Sequence, residues 1–292
     1  MEIIFAEYSG FCFGVKRAVE MVRSLIREGK KPIFILGNLI HNPTVVEELQ
    51  KAGVQKISSL DEAENGWLVI RSHGATKETY EKACSRGLTI VDTTCPNVKY
   101  AQNIAKQLSE EKFRVMIVGD RGHAEVEGIL SYTNGNGAII QNVEESKSLL
   151  EKLSRETKIA VLCQTTIQIE KLNGIVGYLI GKFRQVNVYN TICDVSTNRQ
   201  ASTLKLAREV DLMLVVGGFE SANTTRLAEI SSGVEVETHH IESSEQINPE
   251  WFNKNMKIGL SAGASTPIEL MEEVRNQLNN WLLAGKIRLP PE

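Results

Sequence analysis

The stretch from Asp92 to Gly119 reads DTTCPNVKYAQNIAKQLSEEKFRVMIVG, and its pattern decides the fold. Cys95 is followed by apolar residues at helical spacing: Val98, Ala101, Ile104, Ala105 and Leu108. This spacing predicts an amphipathic helix. The apolar run Val115–Val118 ends in Gly119 and predicts a buried strand of a parallel sheet. The stretch therefore predicts a unit in which a cysteine precedes a helix, a strand and a glycine.

The same pattern occurs around two further cysteines, Cys12 and Cys193, and predicts buried strands at Ile33–Leu36 and Leu212–Val216. The separations from cysteine to glycine are 25, 24 and 24 residues. Four residues past each glycine stands a polar side chain, and a second strand-like run in each unit precedes a small or polar loop. The first set is His41, His123 and Ser221, and the loops contain His73, Thr165 and Ser265. Because these spacings agree in register, we interpret the chain as an internal repeat rather than three unrelated segments.

Alternating strands and helices predict a small parallel sheet in each unit. We therefore predict an α/β fold of three pseudo-threefold-related units around a central site. The predicted units comprise residues 13–95, 96–193 and 194–292. The third unit lacks a closing strand, and we expect the N-terminal segment, residues 1–12, to supply it.

The composition excludes several classes of protein. The 292 residues include 33 basic and 36 acidic side chains, without the basic excess of sequence-independent nucleic-acid binders. No apolar run reaches about 18 residues, which predicts that no helix spans a membrane. The first residues, Met1–Glu7, lack the basic segment of a signal peptide. We expect a cytoplasmic protein without nucleic-acid or membrane partners.

The three cysteines in register are candidate metal ligands. Ligands of parallel sheets bind beyond the carboxyl ends of the strands, so a pseudo-threefold arrangement directs Cys12, Cys95 and Cys193 to one spot. Thiolates select iron–sulfur clusters, Cu(I) or zinc. Three cysteines without a fourth suit a cluster with one open iron, since a cluster that only carries electrons normally has four cysteine ligands. We expect Cys84 and Cys163, outside the register, to be small buried apolar side chains.

The other positions in register carry imidazole, hydroxyl and amide groups. Together with N–H groups at helix starts, such side chains donate hydrogen bonds to anions, which suits a phosphate or diphosphate. Taken singly, the hydroxyl residues are equally compatible with helix N-caps, and the shared register favours a binding site. The candidates are His41, His73, His123, Thr165, Ser221, Asn223 and Ser265.

Glu125 lies in the motif GHAEVEG at residues 122–128, for which two interpretations stay open. A carboxylate in the first turn of a helix is favoured by the helix dipole alone. A carboxyl group that is shielded from water near a bound anion has a raised pKa and can act as a general acid.

Seven motifs together resemble the 4-hydroxy-3-methylbut-2-enyl diphosphate reductases, the last enzymes of the non-mevalonate isoprenoid pathway. The resemblance covers nearly the whole chain. The motifs are GFCFGV (10–15), HNP (41–43), RSHG (71–74), DTTCP (92–96), GHAEVEG (122–128), QTT (164–166) and AGAS (262–265).

The resemblance implies a trefoil of three α/β domains around a 4Fe–4S cluster held by Cys12, Cys95 and Cys193. It implies that Thr165 contacts the substrate and that Glu125 relays protons, with Glu125, His123 and Thr165 as the catalytic candidates. Two electrons from ferredoxin or flavodoxin would remove the substrate hydroxyl, bound at the open iron, and yield isopentenyl and dimethylallyl diphosphate. The diphosphate would be held by His41, His73, His123, Ser221, Asn223 and Ser265.

One position departs from the family pattern. The family often has two serines before the asparagine, whereas here the order is Ser221-Ala222-Asn223. The change removes one hydroxyl from the phosphate site, which for an ordinary hydrogen bond is worth about 1 kcal/mol. A backbone N–H group can take its place.

Rival functions use the same residues. An iron–sulfur dehydratase would need three cysteines and an open iron but no net electron transfer. A non-catalytic sensor of diphosphate or cluster state would need no proton donor at Glu125. A zinc hydrolase is a weaker third alternative and would be colourless.

Overall fold

The fold is described for residues 1–287 from a computed structural model. Strands and helices alternate along nearly the whole chain, as the repeat predicts. The strands in this part of the chain are β1 (Glu2–Phe5), β2 (Ile33–Leu36), β3 (Val54–Ile57), β4 (Trp67–Ile70), β5 (Thr89–Asp92), β6 (Arg114–Val118), β7 (Gly137–Ile140), β8 (Ile159–Cys163), β9 (Val186–Val188), β10 (Leu212–Val216), β11 (Glu237–Ile241) and β12 (Lys257–Ala262). The α-helices are α1 (Phe13–Arg27), α2 (Pro43–Lys51), α3 (Lys77–Ser85), α4 (Pro96–Glu110), α5 (Ala124–Ser131), α6 (Val143–Leu150), α7 (Ile169–Lys182), α8 (Asp194–Ala207), α9 (Ala222–Ser232) and α10 (Ile268–Leu283).

The strands of the described residues form three four-stranded parallel sheets with one shared topology. The strand orders are β3-β2-β4-β5, β7-β6-β8-β9 and β11-β10-β12-β1. In every sheet the first strand after the cysteine's helix (β2, β6 or β10) is a central strand. The next strand along the chain (β3, β7 or β11) lies at the edge beside it. The prediction of an α/β fold with three small parallel sheets is confirmed, whereas their trefoil arrangement stays a prediction.

The N-terminal strand β1 lies at the edge of the third sheet. It pairs in parallel with β12, from Glu2 opposite Lys257 to Phe5 opposite Leu260. β1 therefore takes the place that β5 and β9 take in the other two sheets. β1 thus completes the sheet that β10, β11 and β12 form much later in the chain.

Continuous apolar runs form the central strands because helices cover both faces of these sheets. Every residue of β10, Leu212–Val216, is fully buried, and the predicted bounds of β2 and β10 agree with the structure. The outer strand β3 was not predicted from the sequence. It reads VQKI, and only its two end residues are buried, so it lacks a continuous apolar run. The outer strands β7 and β11 also escaped prediction.

The chain divides into two compact units. The terminal unit comprises Met1–Val15, Ile40–Val45 and the chain from Asp194 onward, and it contains the sheet with β1. The central unit comprises Lys16–Leu39 and Val46–Cys193, and it contains the other two sheets. The three predicted domain boundaries stay a prediction, and the last of them, residue 292, lies outside the described residues.

None of the helices within residues 1–287 combines the length and the apolar character needed to cross a bilayer.

Candidate functional site

Each of the three candidate cysteines immediately precedes a helix. Cys12 precedes α1, Cys95 precedes α4 and Cys193 precedes α8. The positive end of a helix dipole favours negative charge, so these positions suit sulfur atoms that carry negative charge as metal ligands. In the terminal unit, the backbone N–H of Val15 donates to Cys12 Sγ at 3.4 Å.

The backbone N–H of each cysteine donates to a loop that carries a candidate substrate-binding residue. These loops follow β12, β4 and β8, and they contain Ser265, His73 and Thr165. The bonds run from Cys12 to the Ala264 carbonyl (3.1 Å), from Cys95 to the Ser72 carbonyl (2.9 Å) and from Cys193 to the Thr165 carbonyl (2.9 Å). The two predicted sets of residues are therefore adjacent in all three repeats.

Within the central unit, the start of α4 lies against Cys193. Asn97 follows Cys95 by two residues, and its Nδ2 is 3.0 Å from Cys193 Sγ. The structure thus brings the Cys95 segment and Cys193 to one place. Cys12 belongs to the terminal unit, and the convergence of all three thiolates stays a prediction.

Glu125 is a buried carboxyl group bound on both oxygens by Thr165. The backbone N–H of Thr165 donates to Oε1 at 2.6 Å, and its hydroxyl donates to Oε2 at 2.9 Å. Glu125 is only 1% exposed. Burial raises its pKa to about 7, although the two hydrogen bonds from Thr165 lower it, and the charge of Asp120 adds a smaller increase. A carboxyl group with this pKa is suited to general acid catalysis near neutral pH.

Two candidate histidines of the central unit meet edge to face. The ring centroids of His73 and His123 are 5.4 Å apart, with an interplanar angle of 87°. His123 is the N-cap of α5, and its Nδ1 accepts the backbone N–H of Glu125 at 3.3 Å. A neutral imidazole that accepts at Nδ1 carries its proton on Nε2, which makes Nε2 a hydrogen-bond donor.

The terminal unit brings His41, Ser265 and the loop before Ser221 together. Ser265 Oγ donates to the His41 carbonyl at 3.1 Å. A Cβ atom at Gly218 would lie only 2.6 Å from the same carbonyl, so this loop packs closely against His41. Ser221 is the N-cap of α9, and its Oγ accepts the backbone N–H of Thr224 at 3.4 Å.

Among the candidate residues of the terminal unit, Asn223 gives the clearest sign of an external ligand. It is 6% exposed, and neither its side-chain nitrogen nor its side-chain oxygen has a hydrogen-bond partner within residues 1–287. Buried polar atoms are nearly always hydrogen-bonded, because an unmet one costs the full desolvation penalty. Its place in the first turn of α9, after Ala222, puts this amide beside backbone N–H groups that a helix start leaves without intrahelical partners.

One expectation about the remaining cysteines is wrong. Cys84 is exposed, because on α3 it follows Ala83, the buried residue of that helix, and faces away from the core. Cys163 is fully buried in β8, as expected, and its sulfur accepts the backbone N–H of Thr191 at 3.3 Å.

Two polar residues that matter to these loops were not singled out from the sequence. Arg199 on α8 is 3% exposed and donates to the carbonyls of Ala262 (2.7 Å) and Gly10 (2.9 Å), which anchors the loop before Cys12. Asn97 contacts Cys193 as described above. In the sequence, both look like ordinary solvent-facing helix residues. Only their short distance along the chain from Cys95 and Cys193 could have suggested that they contact the cysteine loops.

Comparison with known proteins identifies a family for nearly the whole chain. The model of the LytB protein family matches residues 3–279. A 4-hydroxy-3-methylbut-2-enyl diphosphate reductase from Geobacter metallireducens is 43% identical over 275 residues, which cover 94% of this chain and 95% of the relative. The enzyme of the same name from Geotalea daltonii is 42% identical over 280 residues, covering 96% and 98% of the two chains.

Two solved structures also resemble the chain. The E-1-hydroxy-2-methyl-but-2-enyl-4-diphosphate reductase of Plasmodium falciparum has a TM-score of 0.89 at 28% identity and covers 96% of this chain and 88% of its own. A second structure, of (E)-4-hydroxy-3-methyl-but-2-enyl diphosphate reductase, the terminal enzyme of the non-mevalonate pathway, has a TM-score of 0.70 at 38% identity. It covers 96% of this chain and 100% of its own.

The raised pKa of Glu125 predicts a specific pH dependence of stability. Between about pH 4.5 and 7 the folded protein holds a proton on Glu125 that the unfolded chain has released. The free energy of unfolding therefore falls as the pH rises through this window. The variant Glu125→Gln carries no such proton, so we expect the wild type to lose about 3 kcal/mol relative to it across the window.

Urea unfolding of iron-free protein at a series of pH values measures this difference. Glu127→Gln, on the same helix, is the matched control and should follow the wild-type pH dependence. Parallel curves for the wild type and Glu125→Gln would contradict the raised pKa.

Proposed function

We infer that this chain, a member of the LytB protein family, is an oxidoreductase of the non-mevalonate isoprenoid pathway that acts as a 4-hydroxy-3-methylbut-2-enyl diphosphate reductase. The family and the activity expected from the seven motifs are thereby confirmed. The reaction consumes the allylic alcohol, two electrons and two protons, and it yields water with isopentenyl or dimethylallyl diphosphate. The cofactor, the site residues and the electron donor are proposals, argued below.

The thiol donor set supports a 4Fe–4S cluster held by Cys12, Cys95 and Cys193. Each cysteine starts a helix, and a side-chain amide donates to the sulfur of Cys193, as expected around a negatively charged ligand. Thiolates are the usual ligands of such clusters. When bound, the cluster supplies a Lewis-acidic iron and the path for the electrons.

We propose that the diphosphate binds among the imidazole, hydroxyl and amide groups of the candidate site. The unmet amide of Asn223 carries this assignment, because a diphosphate oxygen supplies the acceptor that its Nδ2 lacks. Backbone N–H groups at the start of α9 compensate for Ala222, which has no hydroxyl. The proposed set is His41, His73, His123, Ser221, Asn223 and Ser265.

Glu125 and Thr165 form a proton relay whose direction follows from their hydrogen bonds. The backbone N–H of Thr165 always donates to Glu125 Oε1, so the proton of the neutral carboxyl group resides on Oε2. When Glu125 is ionised, Thr165 Oγ donates to Oε2. When Glu125 is neutral, this bond reverses: Oε2 donates its proton to Oγ, and the hydroxyl hydrogen becomes available to the substrate. The buried Glu125 carboxyl, bound on both oxygens by Thr165, is the single observation that carries the proposed mechanism. His123, whose Nε2 acts as a donor, completes the catalytic set.

We further propose that ferredoxin or flavodoxin supplies the electrons and that the enzyme works in the cytoplasm. The net charge is −3, without an excess of basic residues. This charge favours neither binding to nucleic acid nor binding to an anionic membrane surface.

Anaerobic turnover tests the proposed function. The purified protein should be brown, contain about four irons per chain and convert the allylic diphosphate alcohol with dithionite and a dye mediator. Consumption of two electrons per product distinguishes a reductase from a dehydratase. A protein that is colourless after strictly anaerobic purification would contradict the cluster, and a brown protein that leaves the substrate unchanged would contradict the reductase activity.

The three cysteine ligands can be tested against a matched cysteine elsewhere in the chain. Cys95→Ala should remove most of the iron and the visible absorption, because it deletes a thiolate ligand. Cys84→Ala, at an exposed position on α3, should retain both. Equal iron content in the two variants would contradict the assignment of Cys95.

Glu125→Gln tests the proton relay. The amide preserves the contacts with Thr165 but cannot deliver a proton as the carboxyl group does, so we expect turnover to fall by roughly 10²-fold while the iron content and spectrum stay unchanged. Glu127→Gln controls for loss of charge on α5, because its oxygen can still accept the backbone N–H of Gly122. Wild-type turnover in Glu125→Gln would refute the relay.

A further inference from the structure

A side-chain amide lies in contact with one of the proposed cluster ligands in the central unit. Asn97 Nδ2 is 3.0 Å from Cys193 Sγ. Asn97 occupies the first turn of α4, and Pro96 at the start of that helix has no N–H group to offer. The side-chain amide of a residue next to one proposed ligand, Cys95, therefore contacts the sulfur of another, Cys193.

The chemistry of the contact defines the direction of the hydrogen bond. A thiolate has no hydrogen and can only accept, so the amide must present its NH₂ group to the sulfur. Hydrogen bonds to the sulfur atoms are among the factors that set the reduction potential of an iron–sulfur cluster. The reduced cluster carries one more negative charge than the oxidised cluster, so a donor at its ligand stabilises the reduced state more.

We propose that Asn97 raises the reduction potential of the cluster by donating its amide hydrogen to Cys193. The proposal rests on the cluster assignment made above. Asn97 acts through Cys193 and is therefore a positioning residue for the reaction, not a catalytic one.

The contact differs from the donor at Cys12 in one useful respect. Cys12 Sγ accepts from the backbone N–H of Val15, which only a proline substitution within α1 would remove. The donor to Cys193 belongs to an exposed side chain, so it can be removed while the backbone and all three cysteines are kept. Redox tuning at this position is therefore open to mutation.

The experiment is an anaerobic redox titration of the cluster-loaded protein, followed by electron paramagnetic resonance. Asn97→Leu removes the donor, and Asn97→Asp replaces it with an acceptor of similar shape. For Asn97→Leu we expect one-electron reduction to become about tenfold less favourable, which corresponds to a potential about 59 mV more negative. Asn97→Asp should shift the potential further in the same direction because it adds negative charge.

Two further variants make the result specific. Asn103→Leu, at another exposed position on α4, controls for the loss of a surface amide and should leave the potential unchanged. Asn97→Gln keeps an amide donor on a longer side chain and should lie closer to the wild type than Asn97→Leu does.

Each outcome supports or overturns the proposal. A negative shift in Asn97→Leu and Asn97→Asp, with an unchanged potential in Asn103→Leu, supports it. An unchanged potential in Asn97→Leu overturns it while leaving the proposed function intact. Loss of the cluster from Asn97→Leu and Asn97→Asp also overturns it, because that result would indicate a structural role. A wild-type protein without a cluster overturns this proposal together with the cluster assignment.

Discussion

Parallel pairing at the edge of each sheet is the constraint on which the candidate site depends. The closing strands β5, β9 and β1 lie beside β4, β8 and β12, so each pair of neighbours ends at the same edge. Just beyond that edge, the cysteine N–H donates to a carbonyl of the neighbouring loop. This backbone contact holds a proposed cluster ligand next to a proposed substrate residue, and the helix that starts after the cysteine then leads the chain away. This contact occurs three times and involves only backbone atoms, so it does not depend on the identity of any side chain. It positions six side chains: the three cysteines and His73, Thr165 and Ser265.

The pKa of Glu125 results from two opposing effects, of which burial is the larger. Removal from water favours the neutral carboxyl group, whereas the two donors of Thr165 favour the carboxylate. The pKa of about 7 that results matches the pH at which an acid must both hold and release a proton. The same burial lowers the stability of the folded protein when the carboxyl group ionises.

The polar residues of the terminal unit differ in what they reveal. Ser221 and Ser265 have partners inside the protein, one as a helix cap and one on the His41 carbonyl, so their contacts would suit a purely structural role. Asn223 is different, because its buried amide has no hydrogen-bond partner among residues 1–287. Such a group is destabilising unless a ligand supplies the partner. A ligand is thus indicated most clearly by the residue whose internal bonding is incomplete.

Local periodicity and repeat spacing were enough to predict the α/β class, the three parallel sheets and the bounds of β2 and β10, because helical and strand periods are properties of neighbouring residues. The outer strands β3, β7 and β11 escaped prediction, because an edge strand such as β3 is partly exposed and lacks a continuous apolar run. Burial was similarly misjudged for Cys84, whose environment depends on how α3 is turned against its sheet.

The environments of Glu125 and Asn97, on which their proposed roles rest, could be recognised only from the folded chain. In the sequence, Glu125 is equally well explained by a helix dipole. Its pKa depends on Thr165, 40 residues away, and on the exclusion of water by the core. Asn97 contacts a sulfur 96 residues further along the chain. Spacing along the chain can therefore place a side chain at the end of a strand or the start of a helix, whereas its charge state and its hydrogen-bond partner depend on residues that only folding brings near.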